Sequence, residues 1–143
     1  MQRLEKSGFI DAPVEEVFDY WKYPANQPEV WPSLVEVKDV QQLPAGGYSW
    51  KWVYKMAGIR FEGQSETVEF IPNQKFSEKS TGGIESKFTW EFKPENEGTR
   101  LNMSVEYNIP MPVLGKFAES FVIKQSDNEG DIVFANLKAR LEK

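Results

Sequence analysis

Apolar residues recur along this chain with two different periods, and the places where the period changes divide it into three regions. Residues 3–10 can form a first strand. Val14, Val17, Phe18 and Trp21 then recur at helical spacing, which gives a short helix one apolar face. Its start is signalled by Asp11 near the cap, Pro13 at an early position that tolerates a missing donor, and Glu15 and Glu16 at the positive end of the helix dipole. The helix is predicted to end near Pro24. Three prolines within YPANQPEVWPS leave room for one brief further helical turn around Ala25 to Val30.

From Leu34 to Ile109 the period is two. Turn signals at Pro44 to Gly47, Ala57-Gly58, Pro72-Asn73, Gly82-Gly83 and Pro94 to Gly98 mark successive hairpins. The alternation is clearest in Tyr48, Trp50, Trp52, Tyr54, Met56; in Ile84, Ser86, Phe88, Trp90, Phe92; and in Leu101, Met103, Val105, Tyr107, Ile109. The positions between them are mainly Lys, Glu, Thr, Ser and Asn, as expected of an antiparallel sheet with one buried and one wet face. Residues 59–71 break this phase. Ile59 and Phe61 share one parity while Val68 and Phe70 share the other, so a bulge is expected near Gly63, and the inward members of this strand stay open.

Beyond Pro110 and Pro112 helical spacing returns and continues nearly to the C-terminus. Leu114, Phe117, Phe121, Ile132, Ala135 and Ala139 fall on one side, with Val122, Val133, Leu137 and Leu141 widening it. Lys124, Asp127, Asp131, Lys138 and Glu142 fall opposite. Gln125 and Asn128 sit within the apolar side and Gly130 follows, where a glycine costs about 1 kcal/mol relative to alanine. That glycine implies a kink or a close approach. With no repeat, low-complexity tract or linker in view, residues 1–143 are expected to form one domain.

Composition removes chemistry from this picture. The chain has no cysteine and no histidine, which eliminates the thiol nucleophile, the commonest general base and the commonest zinc ligand. A metal centre would have to be all-oxygen, and no acidic loop has suitable spacing, so neither metal nor cofactor is expected. Net charge is −5, with Lys and Arg scattered, which argues against nucleic acid as a partner. The N-terminus MQRLEKSGFIDAP lacks a signal peptide's apolar run, and no window approaches the ~18 apolar residues of a membrane span. A cytoplasmic location without stable membrane insertion is the expectation.

The order strand, short helix pair, six strands, long helix resembles the START-like (SRPBCC) helix-grip superfamily, which includes START lipid-transfer domains, Bet v 1-like plant proteins and bacterial polyketide cyclases and dehydratases. Local sequence agrees along the whole chain. Phe9-Ile-Asp-Ala-Pro-Val-Glu-Glu-Val-Phe18 is similar to the opening signature of that superfamily, and Glu29-Val-Trp-Pro-Ser-Leu-Val-Glu-Val37 to its Trp-Pro entry into the second strand. Gly58 to Gly63 and Glu66 to Pro72 resemble the next hairpin. The resemblance implies an α+β helix-grip fold: a curved seven-stranded antiparallel sheet around a long C-terminal helix, with two short helices after strand 1. It also implies a hydrophobic cavity between sheet and helix that carries lipids or aromatic compounds, or folds a polyketide.

The candidate site follows from the inward aromatic ladder. Trp50, Trp52, Tyr54, Phe88, Trp90 and Tyr107, with Phe117 and Phe121 from the helix, either fill a core or wall a cavity; the Trp and Tyr among them bring N–H and O–H groups that a ligand can satisfy. Gln125 and Asn128 either anchor a polar ligand group or turn to solvent. Arg60, Glu62 and Glu66 form either an acid/base cluster or, as the scarcity of buried charge favours, a solvated strand face. Residues 110–117 are either ordinary helix-start packing or a lip for ligand entry. The leading expectation is a binding or carrier domain for a hydrophobic, lipid-like or aromatic small molecule. A polyketide cyclase or dehydratase reaction using an inward carboxylate, Tyr or Arg is the enzymatic alternative, and a chaperone-regulator or other protein-interaction module is the third.

Overall fold

The structure, a computed structural model, describes residues 2–56, 58–108 and 118–142, with side chains of the C-terminal helix described from Val122 onward. Strand β1 (Gln2–Ile10) is followed by helix α1 (Val14–Trp21), a 3-10 turn (Pro24–Asn26) and the short helix α2 (Gln27–Val30). Six strands follow: β2 (Leu34–Gln42), β3 (Tyr48–Met56), β4 (Ile59–Ile71), β5 (Lys75–Gly82), β6 (Ser86–Glu95) and β7 (Gly98–Tyr107). Helix α3 (Ala118–Leu141) closes the described chain.

The seven strands form one antiparallel sheet in the order β1-β7-β6-β5-β4-β3-β2, so β1 returns beside the last strand and β2 lies at the far edge. Five of its six neighbour pairs are sequential hairpins, which is why turn chemistry alone located them. The sheet wraps its inner face around α3, the helix-grip arrangement. Pro13 supplies the N-cap position of α1, and its Val14, Val17, Phe18 and Trp21 are all buried.

In β4 the phase change lies at Val68. The β3–β4 ladder runs unbroken through Gly63, whereas the β4–β5 register shifts between Thr67 and Glu69. The bulge expected near Gly63 is thus displaced by five residues, and Gly63 has another task. A Cβ there would collide with the Trp52 ring and lie 2.5 Å from the Thr81 carbonyl oxygen, so the bare backbone makes room for the indole that crosses it. The parity of the strand is settled accordingly: Phe61 and Ser65 face in, while Arg60, Glu62, Gln64 and Glu66 are on the outer side, with Arg60, Glu62, Gln64 and Glu66 all exposed.

Helix α3 is rotated relative to the face expected from its apolar residues. Ile132 is 44% exposed and Ala135 and Ala139 also face solvent, whereas Val122, Val133, Phe134 and Leu137 are buried. The reason is that the inner face includes polar and small positions, Ser126, Glu129 and Gly130, which find partners or room on the sheet and so weaken the apolar periodicity. A Cβ on Gly130 would lie 3.3 Å from Lys6 Cγ and 3.7 Å from Met103 Cε, so this glycine serves the close approach of α3 to β1 and β7. Lys6 lies across that contact and pairs with Asp127 and Asp131 at 2.7 and 2.9 Å.

Candidate functional site

Between α3 and the inner face of the sheet lies a cavity of about 130 Å³. Its walls are mostly apolar: Leu34, Met56, Met103, Val105, Val122 and Val133 approach it together with aromatic rings. The space exists because several inward positions carry small residues. Ser65 on β4, Ser80 on β5, Ser86 on β6, and Ser126 and Gly130 on α3 all border it. At interior packing density a large side chain at any of these would occupy the volume.

Of the expected site residues, the structure brings Trp52, Tyr54, Phe88, Trp90 and Tyr107 to the cavity wall. Trp50 is buried in the same end of the interior but does not reach the cavity. Asn128 is exposed, on the solvent side of α3 with Ile132 and Ala135, so the rotation of the helix removes it as a polar anchor. Gln125 is half-buried with an unpartnered Oε1, yet it too stands away from the wall. Phe117, the Phe121 side chain and the segment 110–117 lie outside what the structure describes. The Arg60, Glu62 and Glu66 cluster is on the outer face, where Arg60 and Glu62 make an exposed pair at 3.4 Å.

Polar groups reach the cavity from elements that the sequence pattern did not single out. At the corner between α2 and β2, Ser33 donates from its backbone N–H (3.2 Å) and its hydroxyl (2.5 Å) to the two carboxylate oxygens of Glu129. The Tyr54 hydroxyl donates to Glu129 Oε1 at 3.3 Å. Glu129 is only 6% exposed and faces the cavity from α3. Burial raises the Tyr54 hydroxyl well above the usual phenol range, and the neighbouring carboxylate adds to the shift, so Tyr54 stays a neutral donor.

Trp31, at the end of α2, also lines the cavity, and its indole N–H is buried with no hydrogen-bond partner. It lies near enough to Tyr54 to act on that hydroxyl without attaining hydrogen-bond geometry. The Trp90 N–H is likewise buried and unpartnered. Unsatisfied buried donors are uncommon in native folds and demand a reason.

A second buried carboxyl sits on β5. Glu78 accepts a hydrogen bond from Gln27 Nε2 at 2.9 Å, and Gln27 itself borders the cavity. Burial pushes Glu78 up to about 8, with the Gln27 amide opposing, so the group is mainly neutral at pH 7. Beside it Trp52 Nε1 donates to Ser65 Oγ at 2.9 Å, and the Ser65 and Ser80 hydroxyls are hydrogen-bonded to each other. Glu78, Glu129 and Ser33 were missed because polar residues at inward positions look like loop or surface in a hydrophobic pattern. One signal was present: Ser33 belongs to the Trp-Pro-Ser stretch singled out for its resemblance.

Comparison with known proteins agrees with this fold. The family model described as polyketide cyclase / dehydrase and lipid transport matches residues 1–142. Among solved structures, a Thermus thermophilus protein is 23% identical, covering 98% of this chain and 97% of that one at a TM-score of 0.76. A START superfamily protein from Mycobacterium smegmatis is 14% identical over 98% and 97% of the two chains, with a TM-score of 0.80. The Zhui aromatase/cyclase of Streptomyces sp. R1128 is 12% identical over 99% and 93%, at 0.81. At such identities these structures establish the shared fold. No curated protein matches the sequence. Among the described residues no helix is long and apolar enough to cross a membrane, and no group of acidic side chains is arranged to hold a metal ion.

Proposed function

We propose, for a chain that belongs to the polyketide cyclase / dehydrase and lipid transport family, that it binds one small hydrophobic molecule in the cavity between α3 and the sheet. The observation that carries this reading is a mostly apolar cavity of about 130 Å³ kept open by the small residues Ser65, Ser80, Ser86, Ser126 and Gly130.

Size sharpens the ligand class. About 130 Å³ is close to the ~150 Å³ of a cavity that accepts benzene, and below the ~300 Å³ at which drug-sized pockets begin. The present state therefore suits a single ring, and a long acyl chain would require α3 to move away from the sheet. A ring burying ~150–250 Å² gains roughly 4–6 kcal/mol at about 25 cal/mol per Å², before the cost of association. Single rings are thus expected to bind no tighter than roughly tens of micromolar. Higher affinity requires the polar contacts or a larger opening.

Native mass spectrometry after gentle purification, paired with tryptophan-fluorescence titration against phenols, quinones and lipids, tests the proposal. Saturable one-to-one binding of a ring compound is expected; absence of saturation by every class would overturn it. A second reading, cyclase or dehydratase chemistry in the same cavity, draws support from one feature: the Tyr54 hydroxyl and Glu129 carboxylate are in contact at the wall and form a route for a proton. Under that reading Tyr54→Phe loses turnover of a cyclising substrate while keeping its binding.

A further inference from the structure

Charge at the cavity wall is one-sided. The chain carries 17 Lys and Arg, yet among the described residues none borders the cavity. Lys6 is the basic residue at the Gly130 contact, and its ammonium is turned to Asp127 and Asp131. The acidic residue at the wall is Glu129. Its surroundings suit a carboxylate: a backbone N–H that can only donate, and two hydroxyls that can. A carboxylate offers about four lone-pair sites, and Ser33 and Tyr54 occupy three, so one remains for a ligand.

From this arrangement we infer that Glu129 is the specificity-determining residue of the cavity, admitting uncharged ring compounds that carry a hydroxyl and rejecting those that carry a carboxylate. The inference rests on the binding reading above. A ligand hydroxyl can donate its hydrogen to the remaining Glu129 lone pair. A carboxylate ligand has no proton to donate there. It would have to shed its hydration and share a poorly solvated space with a second anion, with no cation at the described wall to compensate. Fatty acids and aromatic acids are thereby excluded as ligands, and phenols, benzylic alcohols and enols are favoured.

Three probes of equal ring size separate the terms: toluene, benzyl alcohol and benzoate, titrated at pH 7 against the intact chain and read by tryptophan fluorescence and ligand-observed NMR. Benzyl alcohol is expected to bind at least as well as toluene, and benzoate to bind about tenfold or more weakly than benzyl alcohol. Glu129→Gln keeps an acceptor for Ser33 and Tyr54 but removes the charge. In that variant the gap between benzoate and benzyl alcohol should shrink to within about threefold, with toluene unchanged, whereas Glu129→Asp should keep the gap. Benzoate equal to benzyl alcohol in the unaltered protein overturns the inference while leaving the binding reading intact, and this arm decides even if the Gln variant fails to fold. A gap that persists in a folded Glu129→Gln protein overturns the role of Glu129. Failure of all three probes to bind overturns the binding reading and the inference together.

Discussion

The two ends of the interior are built on the same sheet and the same alternation, yet one is closed and the other is not. Under α1, the inward residues Phe76, Phe92 and Trp90 meet Phe18 and Trp21 edge to face, with Phe18 5.1 Å from Phe92 and Trp21 5.2 Å from Trp90 between ring centroids. Ile10, Val17, Leu101 and Leu137 complete that cluster, each fully buried. Under the Val122 to Gly130 stretch of α3, the inward residues include Gly63, Ser65, Ser80 and Ser86, and the helix offers Ser126 and Gly130. Large rings line this region too, but small residues stand among them. Aromatic content is therefore not what separates a filled core from a cavity; the size of the residues facing the rings is.

The comparison can be broken at several points. Phe18→Ala, in the closed end, should lower stability by about 3–5 kcal/mol in chemical denaturation, while ring binding by the remaining folded protein is unchanged. Equal loss of binding would mean that the two ends are one unit. Gly63→Ala, in the open end, forces a methyl group into the Trp52 ring and the Thr81 carbonyl, and should cost about 1–3 kcal/mol together with altered binding through displacement of a wall residue.

Glu78, hydrogen-bonded to Gln27 at the border of the cavity, gives the fold a pH signature. Its pKa in the fold, about 8, lies above the ordinary carboxyl value, so between roughly pH 4.5 and 8 the folded state holds a proton that the unfolded state releases. Stability should fall as pH rises through that window, by up to about 1.4 kcal/mol per pH unit from this group. Glu78→Gln should flatten the slope, so that the stability of the variant relative to the original protein is greater at pH 8 than at pH 5. An unchanged slope would place the proton elsewhere. Two smaller effects complete the series. Ser126→Leu should fill the cavity and abolish ring binding with little loss of stability, and Ile132→Ala, on the exposed side of α3, should change stability by less than about 0.5 kcal/mol.

The fold was legible because its signals are local and repeated. Turn residues bounded each hairpin, and the alternating Trp, Phe and Tyr positions of β3, β6 and β7 are correctly placed by parity alone. Where an element's inner face mixes sizes and polarities, the pattern pointed wrongly. Glu129 and Ser126 count as polar in any periodicity, so the apparent apolar centre of α3 moved toward Ile132 and Ala135, and Asn128 was carried inward with it. In β4 the glycine at 63 was the conspicuous irregularity, but its effect is on Trp52 across the sheet, while the bulge at Val68 has no glycine to announce it. The polar groups at and behind the cavity wall were least legible, because Glu129 and the partners Ser33 and Glu78 are recognisable only once tertiary structure has brought them together.

One end of the interior holds a cavity of the size of a small ring and the other is filled. A ¹H–¹⁵N NMR titration with benzyl alcohol tests it most directly. Saturable one-to-one shifts are expected at cavity residues such as Val105, Tyr107, Val122 and Ser126, with Phe18, Phe76 and Phe92 unmoved. Shifts spread evenly over both ends, or none that saturate, would contradict it.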